Sequence, residues 1–218
     1  MTVVVSTHFD DAVLSCFEPL AGATVVTVLG GLPPEGVLGW WDEQADVTDS
    51  RAHVERRREE DRCALALAVA TPVHLDFPDG QYWRPWGLRG LRRRAWPRGP
   101  RLHELVAALS PYLTDAPSVF APAGIDNPHH RLVRDAVLLL RPEATLYADM
   151  PYAYRHGYDF PLASGPERVR REVTLDAETA ARKLEAARCY ATQLPGLLAK
   201  FGDFEDALAT EIRWEVES

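Results

Sequence analysis

A chain of 218 residues, 46% hydrophobic and 26% charged, has an ordinary globular composition and enough length to bury a core without disulfides. Its formal net charge of −8 excludes nucleic acid as the main partner, because phosphate binding needs a basic surface. The three cysteines (Cys16, Cys63, Cys189) are widely spaced with no CxxC pair, which fits reduced thiols in a cytoplasmic protein rather than a disulfide framework or a cysteine-rich zinc site.

The N-terminal run Thr2 to Ser6 lacks the basic region and long apolar stretch of a signal peptide and reads as a strand buried on both faces. A short helix, Ala12 to Phe17, follows, then a second strand, Thr24 to Leu29, stopped by Gly30-Gly31. Leu32 to Asp49, rich in proline and glycine around Trp40-Trp41, reads as a long loop. Ser50 is a cap for a helix from about Arg51 to Val69. Pro72 to Phe77 is the third strand. Helices near Leu102 to Leu109 and His130 to Leu140 bracket a strand near Ser118 to Ala121, and Thr145 to Ala148 is a further strand. Arg168 to Leu175 alternates like an edge strand, and Asp176 caps a helix reaching Thr192. Strands and helices that alternate in this way predict one α/β domain, residues 1–218, with a mostly parallel, doubly wound sheet covered on both faces. No apolar run approaches the roughly 20 residues that cross a bilayer, so membrane is not an expected partner.

In such a sheet, ligands gather at the carboxyl ends of the strands. The most reactive cluster stands there: His8, Asp10 and Asp11 directly follow the first strand. Zinc takes nitrogen and oxygen ligands at about 2.0–2.2 Å, and His8 and Asp11, three residues apart across a turn, can converge on one ion. Asp10 projects differently and is placed to act as general base on the water beside the ion. A third ligand is still needed. The turn-rich stretch Gly124 to His130, after the strand at 118–121, offers His129 and His130. Taken alone, Asp10-Asp11 could be helix capping and His129-His130 a surface helix start; their conjunction at carboxyl ends of strands favours a metal site.

The stretch Ser6-Thr7-His8-Phe9-Asp10-Asp11-Ala12 resembles the HPDDE-type opening of the PIG-L/LmbE-like deacetylases. The resemblance continues through Arg57-x-x-Glu60, Asp76-Phe77-Pro78-Asp79-Gly80, the second histidine motif, and Lys183-x-x-Ala186-x-x-x-Tyr190-Ala191-Thr192-Gln193. It implies a Rossmann-like fold and a single zinc used to remove an acyl group, mostly acetyl, from aminosugar-type metabolites, with antibiotic biosynthesis among the settings. It further implies His8, Asp11 and His130 as ligands and Asp10 as base, with Arg57 and Asp79 contacting the sugar. Two departures stand out. Phe9 replaces a proline, and the usual His-x-Asp-His motif is here Asn127-Pro128-His129-His130, so the helper that stabilises the tetrahedral intermediate is either Asn127 or His129. Tyr152, in Met150-Pro151-Tyr152, and Asp42, beside Trp40-Trp41, are further candidates for lining the substrate pocket.

Tyr82 to Arg101 holds three tryptophans among seven arginines, within an excursion around 81–101. Its two readings are a flap for an anionic or sugar-bearing substrate and a solvated loop packing its tryptophans on the body. The alternatives to an aminosugar deacetylase are a metal- or ligand-binding protein without catalysis, an amidase for a thiol conjugate, and a two-metal esterase or phosphoesterase. Homo-oligomer formation is left open.

Overall fold

The computed structural model describes residues 1–84, 96–159 and 165–217. Seven strands form one sheet in the order β3-β2-β1-β4-β5-β7-β6. They are β1 (Thr2–Ser6), β2 (Thr24–Thr27), β3 (Thr71–His74), β4 (Ser118–Pro122), β5 (Thr145–Tyr147), β6 (Arg168–Thr174) and β7 (Thr210–Val216). The first five pair in parallel, while β7 joins β5 and β6 antiparallel. Val3, Val4 and Val5 of β1 are at most 2% exposed, as expected of a β-branched run in the centre of a sheet covered on both faces.

The chain winds outward from β1 through β2 to β3, then returns to the other side of β1 with β4 and β5. That reversal leaves a crevice between the carboxyl ends of β1 and β4, the place where open α/β sheets bind ligands. Helices α1 (Asp11–Ser15), α3 (Ser50–Leu67), α4 (Leu102–Leu113), α5 (Pro128–Leu140) and α7 (Ala177–Arg188) accompany the strands; α2 (Trp40–Gln44), α6 (Tyr152–His156) and α8 (Leu194–Phe201) lie at the edges of the crevice.

Several expectations shift. The proposed loop at 32–49 contains α2, and α3 is capped by Asp49, whose carboxylate accepts from the Arg51 and Ala52 N–H groups. Ser50, expected as the cap, instead donates its hydroxyl to Asp42 at 2.5 Å. The helix expected to run from Asp176 to Thr192 ends at Arg188, and a separate helix starts at Leu194. The edge strand β6 is where it was expected, but β7, absent from the sequence reading, fills the gap between it and β5. Cys16 is buried, and Cys63 Sγ lies 2.7 Å from Cys189 Sγ although the two are far apart in sequence.

Motif residues from distant parts of the chain bind the N-terminal loop. Tyr190 donates its hydroxyl to the Phe9 carbonyl at 2.9 Å and also reaches Asp61 at 2.9 Å. Lys183, 0% exposed, pairs with Glu211 at 2.6 Å, and Glu211 in turn accepts from the Phe17 N–H at the end of the first helical segment. Removing one partner of a buried ion pair costs roughly 3–5 kcal/mol because the other charge stays buried. Lys183→Ala is therefore expected to lower the unfolding free energy by about that amount in urea titration. A loss within that of a surface pair, about 1 kcal/mol or less, would refute a structural role for the pair.

Candidate metal centre and substrate cavity

The turn after β1 is fixed locally. The Ser6 hydroxyl donates to the His8 carbonyl and accepts the Ala12 N–H, while the His8 N–H donates to Asp11 Oδ2 at 2.7 Å. These bonds hold both side chains on the crevice side. On the neighbouring loop, Gly124 sits at φ +83° where a Cβ would come within 2.6 Å of Arg131 Cγ, so glycine is required for both conformation and space. Asn127 then caps α5 by accepting the His129 N–H, and His130 falls in the first turn, pointing back at β1.

Three ligand atoms meet there. His8 Nδ1 is 3.1 Å from His130 Nε2 and 3.3 Å from Asp11 Oδ2, and the third side of the triangle is 3.3 Å. A tetrahedral zinc with bonds of about 2.0–2.1 Å separates its ligands by about 3.3–3.4 Å, so the triangle fits one such ion with a fourth position left for a small molecule. His130 is fully buried, and its Nδ1 lies 2.6 Å from Asp149 Oδ1. Asp149 is itself held by the N–H groups of Gly124 and Ile125 at 2.7 and 2.8 Å. This carboxylate–histidine arrangement fixes the tautomer that leaves Nε2 free for a metal. Asp149 was missed in the sequence, although its position just past β5 was the available signal.

Asp10 lines the same cavity but makes no side-chain cap bond to α1, so capping does not explain it. Burial, reinforced by the adjacent Asp11 charge, holds its carboxyl above the ordinary range. For Asp11, burial is outweighed by His130 and His8, and its carboxyl lies below the ordinary range. The two neighbours are thus driven apart, one kept anionic and one able to take up a proton. Burial of His8 disfavours its charged form, but Asp79 and Asp11 more than compensate and raise its pKa to about 9.

The remaining expected residues fall into two groups. Arg57, Asp79, Asn127, His129 and Tyr152 line the cavity, which has a volume of about 410 Å³. Arg57 pairs with Asp79 at 3.6 Å and lies over the Phe9 ring at 5.2 Å, which gives the unusual Phe9 a role as a platform. The His129 ring packs on Gly80, where a Cβ would lie 1.9 Å from Cε1, and against Trp83 at 4.6 Å. Burial and the neighbouring His8 lower its pKa to about 4, so it is neutral at pH 7. Asp42 is the correction: it is 0% exposed, accepts from Ser50 and Tyr82, and is not in the cavity wall. The structure adds a wall from the C-terminal part that the sequence reading did not include, formed by Gln193, Leu197, Lys200 and Phe201 facing Trp40 and Trp41. Of the arginine/tryptophan excursion, Arg98 is bound to Glu104 and Trp83 supports His129, whereas Trp86, Arg89 and Arg92 to Arg94 lie outside the described residues. Among the described residues no helix is long and apolar enough to cross a membrane.

No family model and no curated protein matches this sequence. Solved structures do. A deacetylase of the A40926 pseudoaglycone aligns over 98% of this chain and 96% of its own, at 27% identity and a TM-score of 0.74. A teicoplanin deacetylase in a zinc-inhibited form covers the same shares at 23% identity and 0.74. By fold and by motif, the chain is similar to deacetylases of the PIG-L/LmbE-like type. The fold alone does not fix a reaction: a 4-carboxy-2-hydroxymuconate hydratase from Pseudomonas putida aligns over 98% of this chain and 94% of its own at 16% identity, with a TM-score of 0.55. The chemistry of this chain must therefore be argued from its site.

Two outcomes are expected. Asp149→Asn removes the orienting carboxylate and should weaken zinc affinity by about 10–100-fold, read by competition with a chromogenic chelator; unchanged affinity would remove Asp149 from the metal centre. Because His8 is protonated below about pH 9 without metal, zinc binding at pH 7 must expel that proton, and affinity should rise with pH. Calorimetry in buffers of different ionisation enthalpy reads the released proton, and release indistinguishable from zero would contradict this charge state.

Proposed function

We propose that the chain is a zinc-dependent N-deacetylase acting on the acetamido group of an aminosugar-bearing small metabolite, in a natural-product pathway. The observation that carries this reading is the triangle of His8, Asp11 and His130 with Asp10 beside it in one cavity. His8, Asp11 and His130 would hold the ion. Zinc bound there supplies Lewis-acid polarisation of a carbonyl and lowers the pKa of a water to about 7.

The chain's own residues supply the remainder. Asp10, kept from ionising easily, takes the proton of the attacking water and hands it to the leaving amine, so a single carboxyl serves first as base and then as acid. Arg57 and Asp79, paired across the cavity, present a donor and an acceptor to sugar hydroxyls. The cavity volume of about 410 Å³ falls in the usual range for small-molecule sites of about 300–1,000 Å³. Trp40, half exposed, with Trp41 and Phe201, gives an apolar wall for the part of the substrate beyond the sugar, and Lys200 favours an anionic group there. A structural neighbour is named as the deacetylase of the A40926 pseudoaglycone, which supports a substrate with a part beyond the acetamido group.

A panel of N-acetylated aminosugars and N-acylated glycosides, followed by mass spectrometry with zinc-loaded protein, tests the reading. Asp10→Asn should keep its zinc while turnover falls by about 10²–10⁴-fold, the usual contribution of a positioned acid–base group. Retained turnover would remove Asp10 as the base. Bound zinc with no hydrolysis of any panel member would favour a binding protein that kept the fold, a reading motivated by Asn127 at the position where the family usually has histidine.

A further inference from the structure

Asn127 lines the cavity, but each end of its side-chain amide already holds a partner. Its Oδ1 accepts the His129 N–H at 2.9 Å, which fixes the orientation of the amide. Its Nδ2 then donates to the Tyr152 hydroxyl oxygen at 2.9 Å. A phenol that receives a hydrogen bond on its oxygen still has its own proton to give, and among the described residues that proton has no acceptor. Tyr152 rises from the start of α6, its ring edge-on to His130 with centroids 5.3 Å apart, and lines the cavity that Asp10 and Asp11 share. His129 leans on the other loop, against Gly80 and Trp83.

We propose that Tyr152 is the catalytic oxyanion donor of this chain and that Asn127 is its positioning residue. The inference rests on the amide-hydrolase reading above. When water adds to the substrate carbonyl, the C=O π electrons move to oxygen, and the phenolic O–H donates a hydrogen bond to that oxyanion. When the C–N bond breaks, the electron pair returns to re-form the carbonyl and the phenol keeps its proton throughout. A neutral phenol whose oxygen already accepts the Asn127 amide suits this duty, because its O–H remains to be donated toward the cavity. Asparagine fits its position because it caps α5 with one end and donates with the other, which aspartate, an acceptor only, cannot do.

The test uses zinc-loaded protein with N-acetylglucosamine and N,N′-diacetylchitobiose as substrates, and a methylphosphonamidate analogue of N-acetylglucosamine as a tetrahedral anionic ligand. Tyr152→Phe should lower kcat by about 10²–10³-fold with KM and bound zinc near wild type. It should also weaken the analogue about tenfold or more while glucosamine binds unchanged, a readout independent of turnover. Asn127→Asp keeps the helix cap but turns the phenol proton toward itself, so it should reproduce these losses, and adding it to Tyr152→Phe should cost nothing further. Wild-type kcat and analogue affinity in Tyr152→Phe would overturn the donor role. A loss from Asn127→Asp that persists in the Tyr152→Phe background would show Asn127 acting on its own. Absence of both turnover and analogue binding in the wild type would sink the hydrolase reading itself, an outcome distinct from either.

Discussion

The adjacency of two parallel strands, β1 and β4, governs everything about the site. Val4 faces Phe120 across that pairing, so both strands end at the same level and release their loops into one crevice. Zinc ligation tolerates errors of only a few tenths of an ångström, and two flexible loops would not meet that tolerance by themselves. The sheet supplies the coarse placement. The fine placement comes from hydrogen bonds that close each loop, Ser6 and Asp11 on one side and Asp149 on the other.

Electrostatics then separates groups that the sequence makes look alike. Asp10, Asp11 and Asp79 surround His8 in a cavity where all three would repel one another if charged and unpartnered. Arg57 and the histidines relieve Asp11 and Asp79, both held below the usual carboxylate range, and leave Asp10 as the group shifted upward. Distance explains this division better than residue type. Asp11 stands within 3.3 Å of two imidazoles, and Asp79 is paired with Arg57. Pairs of carboxyls pushed in opposite directions are the usual mark of separate chemical roles.

Much of the chain outside the crevice serves to hold the first loop. Phe9, where the motif it resembles has proline, is buried between Arg57 and His74, and its carbonyl accepts from the Tyr190 hydroxyl. Thr192 and Glu60 tie the end of the last motif to α3. The Arg57-x-x-Glu60 and Tyr190-Ala191-Thr192-Gln193 motifs thus have one structural purpose between them, beyond whatever Arg57 does for a ligand. Fold similarity that extends to a hydratase is understandable on the same terms, because the scaffold positions loops and the loops carry the chemistry.

The residues that are neighbours in sequence were legible without coordinates. Valine runs, helix periodicity, and histidine and aspartate beside a strand end are local signals, and they were enough for the α/β class and for singling out His8, Asp10 and Asp11; the choice of His130 over His129 as their partner came from the family resemblance. What the sequence could not supply was any choice between partners far apart in the chain. Asp42 and Asp149 are both single aspartates near elements of the sheet, yet one is buried under Ser50 and Tyr82 and the other orients His130. Asn127 reads in sequence only as a replaced histidine, whereas in the fold its amide N–H donates to the hydroxyl oxygen of Tyr152, 25 residues on. The insertion of β7 between β5 and β6 was equally invisible, since strand pairing is decided by which edges remain open once the other layers have packed. Periodicity and turn chemistry act over a few residues; hydrogen-bond partners, burial and pKa shifts depend on groups that only the packed chain brings within a few ångströms.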